Sequence, residues 1–130
     1  MTSAIDGLIE RARQRIDRLL PHEAEEARAG GALLVDIRSL EQRRADGAVP
    51  GAIVIDRNVL EWRLDPTSPH RIEEAGDPTR PVILLCNEGY ATSLAAATLA
   101  ELGRTGVGEV VGGFEAWRAA GLPVCGGGDR

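Results

Sequence analysis

The chain has 130 residues, 15 basic and 20 acidic side chains, a net charge of −5 and 43% hydrophobic residues. This length is enough for one domain with its own core, and the acidic balance argues against a nucleic-acid-binding surface. No apolar run could span a bilayer, we expect no secretory leader, and two cysteines are too few for a disulfide scaffold. We therefore expect a soluble cytoplasmic protein with reduced thiols.

Residues 1–20 are predicted to form an amphipathic helix packed on the domain. Ser3 and Asp6 form a capping-box-like start, and Pro21 is expected to end the helix. Its apolar residues fall on one helical stripe: Ile5, Leu8, Ile9, Ala12, Ile16, Leu19 and Leu20. Four arginines occupy the other faces, which we interpret as solvated; a basic partner-binding helix is the alternative.

Residues 21–125 are predicted to form the domain proper, in which apolar runs alternate with helical segments. Buried strands are expected at 32–37, 52–55, 82–85 and 109–111, and helices at 21–29, 39–45, 59–64, 91–102 and 114–120. Residues 66–80 are expected to form a surface loop, and residues 126–130 a disordered tail. This alternation predicts an α/β fold of three layers, with a central, mainly parallel sheet and helices on both faces.

The stretch from Pro81 to Leu102 combines a buried strand, a loop that starts with Cys86, and a helix that Thr92 or Ser93 is expected to cap. Ligands of parallel sheets bind beyond the carboxyl ends of the strands, where helices begin. Loop N–H groups and the positive end of a helix converge there, and both favour a thiolate or an anion. The alternative is that Cys86 is a buried structural residue.

Other polar or glycine-rich segments are also predicted to close strands at this edge of the sheet. They are Asp36, the pair Asp56 and Arg57, and the pair Gly112 and Gly113. Neither His22 nor His70 has a metal-ligand spacing to a cysteine, so we expect no metal and no cofactor. The edge therefore predicts a site centred on one thiol.

Four segments together resemble the single-domain rhodanese family of sulfurtransferases, over roughly residues 20–125. Leu34-Val35-Asp36-Ile37-Arg38 is similar to the first signature of that family. Gly47-Ala48-Val49-Pro50-Gly51-Ala52 is similar to its second, with Ala48 in place of the usual His. Cys86-x-x-Gly89 matches the active-site loop, and residues 111–117 with 121–124 resemble the C-terminal signature.

The resemblance implies that Cys86 takes sulfane sulfur from thiosulfate or a persulfide and passes it to cyanide or a thiol. The donor is then a small anion or a persulfide, and a protein is a further candidate donor or acceptor; neither nucleic acid nor membrane is an expected partner. The substrate-binding loop comprises Asn87, Glu88, Gly89, Tyr90, Ala91 and Thr92. Asp36 and Arg38 are implied to support this loop by hydrogen bonds and ion pairing.

The loop departs from the family pattern in its charge. Many members carry Arg where this chain has Ala91, and Glu88 adds a negative charge that repels a dianion. Arg57 and Arg63 are the candidates for the missing cation, with a surface charge or a local ion pair as the alternative for each. Cysteine phosphatases of related fold need Arg at the position of Thr92, which argues against that activity.

Two alternatives remain at this stage. The chain could be a non-enzymatic module that binds a protein partner or carries persulfide sulfur. Cys125 is predicted to be dispensable, and its alternative role is that of a resolving thiol for Cys86.

Overall fold

The computed structural model describes residues 2–127, in which five parallel strands lie between two layers of helices. The strands are β1 (Asp17–Leu19), β2 (Leu33–Asp36), β3 (Ile53–Val54), β4 (Val82–Leu85) and β5 (Val107–Val110), in the sheet order β1-β5-β4-β2-β3. The helices are α1 (Ala4–Arg13), α2 (Pro21–Ala29), α3 (Leu40–Asp46), α4 (Leu60–Leu64), α5 (Ala91–Glu101) and α6 (Gly113–Ala119), with 3-10 turns at Arg57–Val59 and Glu73–Ala75. The predicted three-layer α/β fold is confirmed.

The two faces of the sheet are covered by different helices, because successive side chains of a strand point to opposite sides. One core cluster joins α4 and α5 to the sheet through Leu33, Val35, Val82, Leu84, Leu60, Leu64, Ala95 and Leu99. The other joins α2 and α6 through Leu34, Ile83, Leu85, Ala24, Phe114 and Trp117. Both faces of β2 and β4 are buried, which explains why these strands are continuously apolar instead of alternating, apart from Asp36 at the end of β2.

The N-terminal segment differs from the single helix predicted for it. Helix α1 starts at the predicted cap, where the Ser3 side chain accepts from the Asp6 amide, but it ends at Arg13. Residues 17–19 form β1, which pairs with β5 at the edge of the sheet. The spacing of apolar residues does not distinguish a longer helix from a helix followed by a three-residue strand. Here residues 17–19 pair with the otherwise unpaired edge of β5 instead of continuing the helix.

Residues 66–80 form the predicted surface connection, which a buried arginine holds in place. Arg104 is 3% exposed, and its Nη1 donates to the carbonyl oxygens of Leu64 and Ala75 at 3.1 and 2.8 Å. Its Nη2 donates to those of Asp77 and Arg80, each at 3.0 Å. Burial lowers the pKa of the Arg104 guanidinium, and the Asp77 carboxylate opposes that shift. One side chain thus organises a segment that has little regular structure.

The segment around Cys125 packs back onto the domain. The backbone N–H and C=O groups of Cys125 pair with those of Ala48, each bond at 2.8 Å. Of the predicted disordered tail, residues 128–130 lie outside the described residues. Within residues 2–127, no helix combines the length and the apolar character that crossing a membrane requires.

Candidate active site

The thiol of Cys86 lies immediately beyond the carboxyl end of β4. Asp36, the last residue of β2, pairs in register with Leu85, so the two strands end side by side. Gly112 and Gly113 follow β5, the other neighbour of β4. The predicted convergence at this edge of the sheet is therefore seen for β2, β4 and β5, and Arg57, which follows β3, lines the same depression as Cys86.

The loop after Cys86 curls back onto the sulfur. The Gly89 amide donates to Sγ at 3.1 Å, and Thr92 Oγ1 lies 3.4 Å from the same atom. Gly89 has a φ of +92°, which glycine tolerates, and a Cβ there would approach the Gly112 nitrogen at 3.0 Å. Cys86 is only 7% exposed, and its sulfur contacts the Gly89 amide and the Thr92 hydroxyl.

Helix α6 supports the same loop from the other side of the sheet. The Phe114 amide donates to the Cys86 carbonyl oxygen at 2.8 Å, and the Glu115 amide donates to that of Asn87 at 3.1 Å. A Cβ on Gly113 would lie 2.5 Å from the Cys86 carbonyl oxygen. Glycine is required at this position because the two backbones approach so closely.

Asp36 and Arg38 form a buried ion pair beneath the site. Arg38 Nη2 lies 2.8 Å from Asp36 Oδ2 and also donates to the Gly47 carbonyl oxygen at 2.8 Å. The Arg38 guanidinium stacks over the Phe114 ring at 4.0 Å, and Phe114 in turn binds the Cys86 carbonyl. These contacts fit the supporting role predicted for the pair.

An open depression beside the thiol collects most of the predicted substrate-binding residues. Its lining comprises Ile37, Arg38, Gln42, Arg57, Cys86, Asn87, Glu88, Tyr90 and Ala91. Gly89 and Thr92 contact the sulfur itself. Arg57 lies at the depression but pairs with Glu61 at 2.9 Å. Arg63 is not brought to the site and donates to the His70 carbonyl oxygen at 2.6 Å.

The sequence prediction missed a buried carboxylate behind the thiol, Glu109 of β5, which is 0% exposed. The hydroxyls of Thr92 and Ser93 donate to it at 2.7 and 2.8 Å. The capping role predicted for these two residues is wrong, because α5 already begins at Ala91 after Tyr90, whose side chain makes no capping bond. The sequence does contain a signal for this site: Glu109 is a charged residue within a short apolar strand, and a buried charge normally has a partner of opposite charge or hydrogen-bond donors around it.

Comparison with known proteins identifies the family. The profile of the family described as the rhodanese-like domain matches residues 20–120. The chain belongs to this family. Thiosulfate sulfurtransferase GlpE of Ectopseudomonas mendocina is 36% identical to the rhodanese-like chain over 102 residues, which cover 78% of this chain and 84% of the relative. The GlpE of Actinobacillus succinogenes is 35% identical, covering 72% and 75%.

Solved structures share the fold of this chain. A protein of unknown function from Rhodopseudomonas palustris, described as a possible tyrosine phosphatase, has a TM-score of 0.85 and 30% identity, covering 96% of each chain. The polysulfide-sulfur transferase homodimer of Wolinella succinogenes has a TM-score of 0.75 and 23% identity, covering 95% of this rhodanese-like chain and 88% of its own. The family resemblance predicted from four sequence segments is confirmed.

Proposed function

We propose that this chain is a sulfurtransferase that moves sulfane sulfur through a persulfide on Cys86. The observation that supports it is the position of Sγ at the carboxyl end of β4, with the Gly89 amide directed at it from 3.1 Å. An amide in this position stabilises negative charge on sulfur. The predicted enzyme class is further supported by relatives named thiosulfate sulfurtransferase at 30–36% identity.

The reaction divides into two displacements on sulfur. The Cys86 thiolate attacks the outer sulfur of thiosulfate, a new S–S bond forms, and the S–S bond of the donor breaks as sulfite leaves with the electron pair. A cyanide ion or thiolate then attacks the outer sulfur of the persulfide and leaves as thiocyanate or a new persulfide. The electron pair of the broken bond returns to Cys86 Sγ, where the Gly89 amide stabilises the leaving thiolate.

We further propose that a persulfide, on a protein or a small thiol, is a better donor than thiosulfate. Both arginines that line the depression are already paired with carboxylates, Arg38 with Asp36 and Arg57 with Glu61. Glu88 is exposed on the lining and carries no such neutralising partner in the described hydrogen bonds and ion pairs. The entrance is therefore poorly suited to a small dianion.

Two measurements on the purified full chain test the proposed function. Incubation with thiosulfate, or with glutathione persulfide, should add one sulfur atom, about 32 Da, to the intact mass. Cyanide should then remove the sulfur, with steady production of thiocyanate. The absence of an adduct with both donors would contradict the proposal. An adduct that forms without turnover to cyanide or thiols would instead favour the non-enzymatic carrier.

Replacing Glu88 by Gln should raise kcat/KM for thiosulfate about fivefold, because it removes one negative charge that repels the dianion. The gain is no larger because solvent and salt screen a charge at an exposed position. The gain should shrink as ionic strength rises. Glu74→Gln is the matched control, since it makes the same change of charge at an exposed position outside the depression. Unchanged or slower thiosulfate kinetics in Glu88→Gln would restore thiosulfate as a credible natural donor.

A phosphatase activity has no support in this loop. Thr92 occupies the position where a cysteine phosphatase needs a bidentate arginine for the phosphate. Its hydroxyl donates to the Glu109 carboxylate at 2.7 Å, and a threonine cannot supply the two parallel N–H donors that such an arginine provides.

A further inference from the structure

The carboxylate of Glu109 connects the loop of Cys86 with the N-terminal segment of the chain. Two hydroxyls at the start of α5, those of Thr92 and Ser93, donate to it. On its other side, Arg18 Nε of β1 donates to Oε2 at 2.9 Å, and Arg13 Nε of α1 lies 3.7 Å from the same oxygen. Glu109 of β5 therefore binds both the start of α5 and the N-terminal segment, which are far apart in the sequence.

Arg13 extends this connection to the loop itself. Its Nε donates to Ser93 Oγ at 3.0 Å, and its Nη2 donates to the Gly89 carbonyl oxygen at 3.1 Å. The guanidinium also lies 5.6 Å from the centre of the Tyr90 ring. Arg13 is thus the part of α1 that reaches the loop directly.

Gly89 is held from both sides as a result. Its amide is bound to Cys86 Sγ, and its carbonyl oxygen is bound to Arg13. Glycine restricts its own backbone less than any other residue, so external contacts must fix the orientation of these two peptide groups. A donor aimed at a reacting atom is most effective when it is already oriented before the reaction starts.

The direction of the Thr92 hydroxyl is fixed in the same way. A carboxylate only accepts hydrogen bonds, so the Thr92 hydrogen points to Glu109 at 2.7 Å. The Thr92 oxygen, 3.4 Å from Sγ, then presents a lone pair to the sulfur. Glu109 therefore determines which hydrogen-bonding group Thr92 offers to Cys86.

Stability alone is a weak reason for such a cluster. Apolar residues of similar volume often stabilise a core as well as a buried ion pair does, because charges must lose their hydration. This cluster joins four elements, α1, β1, α5 and β5, beside the reactive sulfur, and its charges are arranged around Gly89, Thr92 and Ser93.

We propose that Arg13 and Glu109 are positioning residues for sulfur transfer, through which the N-terminal helix orients the loop of Cys86. The inference rests on the proposed function for its effect on rate. Its effect on the conformation of the loop is independent of sulfur chemistry.

The test replaces Arg13 by Met in the full chain, with Arg15→Met as the matched control. Arg15 lies two residues beyond the end of α1 and pairs with Glu101 of α5 at 3.0 Å. Both side chains of this pair are at least half exposed. In single-turnover loading with saturating thiosulfate or glutathione persulfide, the adduct should form about tenfold more slowly in Arg13→Met. The half-saturating donor concentration should change less than about twofold, because Arg13 orients the loop and does not bind the donor.

A second readout follows the loop without sulfur chemistry. Exchange of the Gly89 amide hydrogen should be about tenfold faster in Arg13→Met than in the unaltered chain, and within about twofold of it in Arg15→Met. The urea midpoint should fall further in Arg13→Met than in Arg15→Met, because Arg13 lies against the buried Glu109 carboxylate whereas Arg15 makes an exposed pair. Exchange at Gly89 is therefore compared with exchange of the β4 amides, which reports global opening. Unchanged exchange at Gly89, or equal effects of the two substitutions, would overturn the inference even if no donor loads the protein.

Glu109→Gln tests the other half of the proposal. The amide oxygen still accepts from the hydroxyls, but the charge that holds Arg13 is lost, so exchange at Gly89 should again be faster. If both residues act through one cluster, the double variant should be no faster in exchange than the faster single variant. Fully multiplicative effects would show that the two residues act separately and would overturn the joint role.

Discussion

Cys86→Ser should lower sulfur transfer by more than about 1000-fold and leave the fold intact. A hydroxyl is a poor nucleophile toward sulfur and does not ionise at neutral pH, so the covalent step loses its attacking group. The exchange is nearly isosteric, and the Gly89 amide and the Thr92 hydroxyl can bind oxygen as they bind sulfur. Thiocyanate production and the mass adduct measure the activity, and urea unfolding measures the stability.

Cys125→Ser provides the matched control, because it changes the same atom at an exposed position. Cys125 is held by backbone bonds to Ala48, which a serine retains. Loading and turnover should therefore be close to those of the unaltered protein. Turnover above about one part in a hundred in Cys86→Ser would overturn the assignment of the nucleophile. A Cys125 variant that loads sulfur but does not release it would show that Cys125 is a resolving thiol.

The largest effect on stability is expected from Arg38→Met, at about 3–5 kcal/mol of unfolding free energy. The substitution leaves the Asp36 carboxylate, 1% exposed, without its guanidinium; within residues 2–127 the one remaining donor is then the Arg38 amide at 3.0 Å. It also removes the bond to the Gly47 carbonyl oxygen and the stacking on Phe114. Urea denaturation of the purified variant measures the loss.

Arg57→Met is the control for this result. Its pair with Glu61 spans one helical turn, and the side chains are 39% and 24% exposed, so its loss should cost no more than about 0.5 kcal/mol. Replacing both buried charges, in Asp36→Leu with Arg38→Met, should recover part of the lost stability because no unpaired charge remains. Equal costs for the two single arginine variants would show that burial of the Asp36 pair has no special effect.

The unit that contains Cys86 could be predicted from sequence because its signals are local. An apolar run, a loop with glycine and a helical face occur within 22 consecutive residues, from Pro81 to Leu102. The rule that parallel strands end at one edge then predicts that Asp36 and Gly112 lie beside the thiol. For these elements, hydrophobic periodicity and topology were sufficient.

The contacts around Glu109 could not be predicted in the same way because they join residues far apart in the chain. Arg13 and Ser93 are separated by 80 positions, and Arg18 and Glu109 by 91. The apolar residues of the N-terminal segment fit a helical stripe equally well whether or not its last part pairs with β5. Local rules likewise predict that Thr92 and Ser93 cap a helix, because hydroxyls are favoured at helix starts, and these rules contain no information about a carboxylate 16 or 17 residues away.

The pairing of the first strand with the last also constrains how the protein is made. On the ribosome, β1 emerges early, but its neighbour in the sheet is β5, which is synthesised only after the strand, loop and helix around Cys86. Until then the nascent N-terminal segment has no sheet edge to join, and contacts of such long sequence separation form slowly. Arg13 and Arg18 cannot meet Glu109 before that residue has left the exit tunnel. The thiol of Cys86 is made 23 residues before Glu109, so a chain released between these two points would carry the cysteine and Arg13 without the carboxylate that brings them together.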